Sequence, residues 1–332
     1  MTSRLFLPAI TVALAVAAVG CGKTNKINTP SPTTPPASGA VEMKLKWTPG
    51  ERIVQELEMK QNVLSALPGL PAPMKTDMTI GEKVSLTVVS ADPDGGHKLE
   101  MQFLAFRMAI NVNGKTINYD SAESSAGGTT NPMAAVFSKM VGAKIQFFLD
   151  ASNHVQRLEG LDELMERIAA SGTSAAVLRG VLNEDNFKQM LNSSVYLPPK
   201  PVQPGDTWPV VIKSPTGVFG TMTMNYTATF KGWDRHGKRN CALLEFAGSI
   251  EIEPAANAPS GFAMSVHNGK SSGMMWFDPD LGTIIESDAN EDMMMIMTVP
   301  KNQRAAQGSA AETQTITNQV TQAINIKADS VN

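Results

Sequence analysis

Chemistry in this chain has few residues to draw on: four histidines, two cysteines and a large store of methionine, 20 in 332 residues. His97, His154, His236 and His267 stand far apart, and no two have the spacing that sets imidazoles on one metal. There is no HExxH helix motif, no paired-cysteine zinc motif and no GxSxG nucleophile elbow. His97, His154 and His236 lie in or beside turn-forming sequence, where solvent exposure is expected. Asp278, Asp280, Asp288, Glu291 and Asp292 are close in sequence but lack the regular oxygen spacing and glycine of a calcium loop, so they read as a solvated acidic face. Gly22-Lys23-Thr24 mimics the end of a phosphate-binding loop, but the glycine that loop needs five residues earlier is Ala17. The expectation is a chain with no catalytic residue, no cofactor and no metal site.

Methionine remains to be explained. Thioethers bind Cu(I), but they also fill irregular cores and suit surfaces that accept varied apolar partners. Met222, Met224, Tyr226 and Phe230 alternate with polar residues, as do Met293, Met295 and Met297, so each set falls on one face of a strand. Three readings stay open for these seven residues: packed core, a copper site, or the lining of a concavity that holds an acyl chain or another hydrophobic ligand. Cys241, at the head of the apolar run to Phe246, reads as a small buried thiol.

The first 40 residues are of another kind. Met1 to Arg4 carries one positive charge, and Leu5 to Val19 is apolar but too short to span a bilayer stably. That run ends in Ala18-Val19-Gly20-Cys21, which resembles the lipobox of bacterial lipoproteins, with Ala18 where leucine is commoner. The resemblance implies a signal peptide over residues 1–20, cleavage between Gly20 and Cys21, and acyl chains such as palmitate carried on Cys21. Two or more chains hold a protein at a membrane without any transmembrane helix. Gly22 rather than Asp follows the cysteine, which by the same resemblance favours the outer membrane, facing the periplasm or the cell surface. With Cys21 so used, Cys241 has no disulfide partner. Residues 21–40 then form the lipidated cysteine and a Pro, Thr and Ser-rich linker, whose 19 residues after Cys21 would hold the body about 25 Å from the bilayer as a coil.

These features need a scaffold, and from Val41 the hydrophobic period is mostly 2. Strands are expected at Ile53–Leu64, Lys83–Val89, Leu99–Val112, Gly220–Trp233 and Ile284–Val299, with turns at Asp92–Gly96, Asn113-Gly114 and Asp234–Lys238. Helical spacing is confined to Pro132–Val141, Leu161–Ala170 and Ala175–Leu191. Thr313–Lys327 is read as a last strand after a loose loop over 301–312. Pro49-Gly50-Glu51 is echoed by Pro204-Gly205-Asp206, and Phe148-Leu149-Asp150 by Trp276-Phe277-Asp278. The expected fold is mainly β, in the α+β class, with long antiparallel strands. A β-rich first half over 41–200, with helices at about 132–192 packed on one face, precedes a β-rich second half over 201–332. The halves form either two duplicated half-barrel-like units or one large curved sheet.

The Trp276–Gly282 stretch, Gly50-Glu51 and the Gly205–Trp208 stretch together resemble a family of uncharacterised envelope lipoproteins, a domain of unknown function. The sheet-plus-helices pattern is more distantly similar to periplasmic lipoprotein carriers, whose half-barrel binds acyl chains. A net charge of −3 gives no basic face for nucleic acid. The function expected is a non-enzymatic envelope lipoprotein, held to the membrane by its lipid anchor, whose body binds a hydrophobic small molecule or an envelope protein. Alternatives from other classes are a structural or assembly role through protein contacts, a methionine-based copper binder and an enzyme.

Overall fold

A computed structural model describes residues 39–123, 132–169, 184, 187–188, 192–216, 219–256, 261–301 and 312–330. The alternation in the sequence is realised as strands: β1 (Arg52–Ala66), β2 (Met74–Ala91), β3 (His97–Val112), β4 (Lys115–Asp120), β5 (Lys144–Leu149) and β6 (Val155–Glu159) in the first half. The second half supplies β7 (Thr207–Pro215), β8 (Thr221–His236), β9 (Arg239–Glu253), β10 (Ala263–Asp278), β11 (Thr283–Pro300) and β12 (Thr313–Ser330). Two short helices, α1 (Pro132–Met140) and α2 (Leu161–Ala169), lie between the halves. Residues 1–38, with the lipobox and linker, fall outside the described residues, as do most of 175–191 and of the loop before β12. Among the described residues no helix is long and apolar enough to cross a membrane.

Of the two arrangements open from sequence, a single sheet is the one seen. All twelve strands pair antiparallel in the order β6-β5-β3-β2-β1-β12-β11-β10-β9-β8-β7, with β4 beside β3. Each half is a meander, and the β1–β12 pairing zips the two together. The sequence echoes are structural ones. Glu51 N–H donates to Thr48 O as Asp206 N–H donates to Gln203 O, and both turns place glycine at positive φ, 87° at Gly50 and 96° at Gly205. The Asp150 and Asp278 carboxylates likewise each accept two backbone N–H groups of the turn that follows. Asn113-Gly114 makes the expected hairpin at positive φ, while the β8–β9 turn is tighter than expected, because β8 runs on to His236.

The path of the chain explains what covers the sheet. β6 and β7 follow one another in sequence yet lie on opposite edges, and the described apolar residues of the connection between them pack on one face, called inner below. Leu164, Met165, Ile168 and Phe187 of this crossing join the buried cluster of the first half, with Val136, Phe137 and Met140 of α1. Leu197 and Val202, with Met43 and Leu45 from the N-terminal segment, join that of the second. The sheet is also strongly curled. Trp47 Nε1 donates to Asn153 Oδ1 in the β5–β6 turn (2.7 Å), while the adjacent Lys46 donates its N–H to Gly282 O in the β10–β11 turn (3.0 Å). In a flat sheet β5 and β11, five strands apart, would be about 24 Å from each other. Glycine permits part of this bending: a Cβ on Gly248 would stand 2.0 Å from Asn225 O, and one on Gly273 2.2 Å from Asp288 O.

Candidate binding site on the inner face

The inner face carries a polar row across six strands at mid-sheet. Register sets Gln61 (β1) against Gln322 (β12), Gln322 against Glu291 (β11), Glu291 against Ser271 (β10), Ser271 against Gly248 (β9), and Gly248 against Tyr226 (β8). Directly opposite residues have Cβ atoms about 5 Å apart, so these side chains are neighbours. Gln61 Nε2 donates to Gln322 Oε1 (3.0 Å). Because Gly248 has no side chain, the Tyr226 ring spans it, and its hydroxyl lies 2.9 Å from Ser271 Oγ and donates to Met224 Sδ (3.4 Å).

One step along the strands the face turns apolar. Met222, Ile250, Met264, Met293, Met295, Met297 and Val320 form one buried cluster, with Met224 and Val63 packed against it. Thus five of the seven residues singled out from the sequence, Met222, Met224, Met293, Met295 and Met297, are brought together. Tyr226 and Phe230 share their face but belong to the neighbouring cluster of the second half, Phe230 fully buried there. Cys21 and Gly20 fall outside the described residues.

Several polar atoms on this face have no partner among the described residues: Ser65 Oγ, Thr76 Oγ1, Asn318 Oδ1 and Gln322 Nε2. Thr76 faces Val63, and Ser65 faces Asn318 across the β1–β12 seam. A buried polar group without a hydrogen bond costs about 1–3 kcal/mol, so water or a ligand that bonds these atoms would be stabilised there.

Electrostatics single out Glu291, whose pKa burial pushes up to about 7. The Tyr226 hydroxyl is pushed up to about 12, by burial first and then by the charge of Glu291, against the lowering bond to Ser271. Tyr196, from the crossing connection, is raised by burial, Tyr226 and Glu291 in that order. The lysines of these strands, Lys60, Lys231, Lys270 and Lys327, are exposed, at positions that alternate away from this face. A second carboxyl, Glu82 on β2, is fully buried opposite Leu57 and Phe106, with Oε1 unpartnered and a pKa pushed up by burial to about 7.

The remaining candidates are corrected or placed. The acidic cluster is no single solvated face: Asp278 is buried, receiving Arg239 Nη1 at 2.8 Å and two turn amides, whereas Glu291, half-buried, shares the inner face with Met293, Met295 and Met297 by alternation along β11. His236 is not a free turn residue; it stacks on Trp276 at 5.0 Å and meets Glu286 Oε2 at 2.9 Å on the outer face. His154 is exposed as expected. Cys241 is buried and free, its thiol pushed up to about 12 by burial. Sequence reasoning missed Gln61, Ser271 and Gln322 because each is an ordinary strand residue until pairing aligns it.

Residues 94–284, more than half of the chain, match the model of a family described as one of unknown function, DUF6263. No curated protein sequence matches. Solved structures similar to the chain include lipovitellin, in a study of its lipid–protein interactions, at 11% identity and a TM-score of 0.42, covering 86% of this chain and 26% of that one. The chain thus spans about a quarter of lipovitellin. The outer membrane protein OprG from Pseudomonas aeruginosa aligns at 8% identity and a TM-score of 0.21, over 85% of this chain and 97% of that one. A DUF1329 family protein from Desulfovibrio piger aligns at 9% identity and 0.12, over 84% and 85% of the two chains. At these scores none of the likenesses bears on function, which is argued from the inner face.

Proposed function

We propose, for a chain that belongs to this family of unknown function, that the body is a binding module rather than a catalyst. It holds the apolar chain of an amphiphile along the methionine-lined part of the inner face, and it works at the envelope membrane to which acylated Cys21 ties it. The observation that carries the reading is the junction of two unlike surfaces. A buried methionine cluster adjoins a polar row and seam whose buried hydrogen-bonding atoms lack partners among the described residues. Thioether side chains adapt to varied apolar shapes at little packing cost, and the polar row would fix the orientation of a bound head group. The mature protein, purified from its own cells and analysed by native mass spectrometry and solvent extraction, should carry an apolar molecule at a fixed stoichiometry. A protein that is ligand-free in every preparation, and takes up no long-chain alcohol or acid on titration, would overturn the reading.

A further inference from the structure

The polar row has a definite chemical character. Glu291 is flanked by Gln322 and Ser271 in register. Two tyrosines stand near enough for its charge to raise their hydroxyls. Tyr196 and Tyr226 both meet the edge or face of Phe246, at 5.7 and 6.3 Å between centroids and interplanar angles of 90° and 85°. Among the described residues burial is the cause that shifts Glu291, with no lysine, arginine or histidine of theirs contributing. Beside it the buried Gln322 amide leaves Nε2 without a partner. Glu291 lies opposite Ser271, whose hydroxyl meets that of Tyr226 at the margin of the Tyr196–Phe246–Tyr226 ring group. A carboxylate beside aromatic rings, with no cation to neutralise it among the described residues, is a set of groups that can recognise an ammonium ion. An anionic head group would instead add a second negative charge to a site without positive ones among the described residues, which is unfavourable by the same Coulomb argument.

We infer that the polar row binds the ammonium head of a long-chain amine or quaternary-ammonium amphiphile, held by Glu291, Tyr196, Tyr226 and Phe246, with its chain on the methionines. This deepens the binding reading above and rests on it. Among the described residues the titratable groups that face Glu291 are the two tyrosines, both neutral over the working pH range, so the head-group preference follows the protonation of Glu291 itself.

The test uses the full chain carrying Cys21→Ser, which keeps acyl groups off the protein. Dodecylamine, dodecyltrimethylammonium, dodecanol and laurate, each below its micellar concentration, compete for a bound fluorescent apolar probe. At pH 8 the two cationic compounds should bind roughly tenfold more tightly than dodecanol, with laurate weakest. At pH 5 that advantage should shrink severalfold in the unmutated site, a readout that needs no further variant. Glu291→Gln should abolish the advantage of the two cations over dodecanol, measured within the variant itself. Laurate binding as tightly as the amines, or a cation preference indifferent to both pH and Glu291→Gln, overturns the ammonium assignment alone. If none of the four displaces the probe, the binding reading falls with it.

Discussion

A carboxyl buried with an oxygen that finds no partner among the described residues is a standing cost, and Glu82 shows it most clearly. Folded, it keeps its proton up to about pH 7; unfolded, it releases it near 4.5. Between those values the native state holds a proton that the unfolded state does not, so stability falls as pH rises through the window, and the loss is complete above about 7. The shift corresponds to up to about 3 kcal/mol. Glu82→Gln removes the ionisable group at nearly constant volume. The substitution should therefore raise unfolding free energy at pH 8 by about 1–3 kcal/mol and change little at pH 5. Denaturant unfolding at the two pH values reads this directly, and an equal effect at both would show that the charge is not what the site resists. Glu291 differs in kind, because its surroundings suit a ligand cation, whereas Glu82 lies among Leu57 and Phe106 beneath the helices.

At the scale of the element, Gly248 couples the curvature of the sheet to the site. A methyl group there would meet the Asn225 carbonyl at 2.0 Å, a backbone atom that cannot swing away. Gly248→Ala should destabilise by about 3 kcal/mol and part β8 from β9, loosening the Tyr226–Ser271 contact. Thermal unfolding measures the first effect, and faster amide exchange in 224–228 the second. A variant as stable as the parent would mean that the strands relax freely at this point. The same example shows what sequence can and cannot reveal. The period-2 runs gave β1, β3, β8 and β11 with small boundary errors, because one-sided burial writes itself into alternation, and Asn113-Gly114 and the paired Pro-Gly turns announced positive φ. Nothing local indicates that Gln61 will face Gln322, 261 positions away, since pairing order is set by the whole topology. The acidic residues from Asp278 to Asp292 looked like one group because proximity in sequence hides the side of the sheet to which each side chain points.

For the molecule as a whole, the curl is held at one end by the N-terminal segment, whose Trp47 and Lys46 grip turns from the two halves. Trp47→Ala removes both the hydrogen bond to Asn153 and packing against both large clusters. It should cost about 3 kcal/mol and speed amide exchange in the β5–β6 turn and in the β10–β11 turn. If only the nearer of those turns responds, the halves are not clasped through this residue. The same segment leads back toward the anchor. Val41 pairs with Val202 beside the start of β7, so the body begins where the proposed tether ends. The 19 residues from 22 to 40 can span at most about 65 Å when fully extended. A body of this size has a radius of gyration near 19 Å, so such a tether is long enough for any side of it, including the methionine-lined end, to reach the bilayer. Membrane attachment and ligand binding should therefore be separable. Cys21→Ser, with residues 1–20 exchanged for a signal peptide that is cleaved without lipidation, should abolish incorporation of a palmitate analogue and shift the protein from the membrane to the soluble fraction, while its affinity for an apolar probe stays within about twofold of the acylated form. If the serine variant still sediments with membranes, the body itself provides the attachment. If it is soluble but no longer binds, the acyl chains of Cys21 are themselves part of the site.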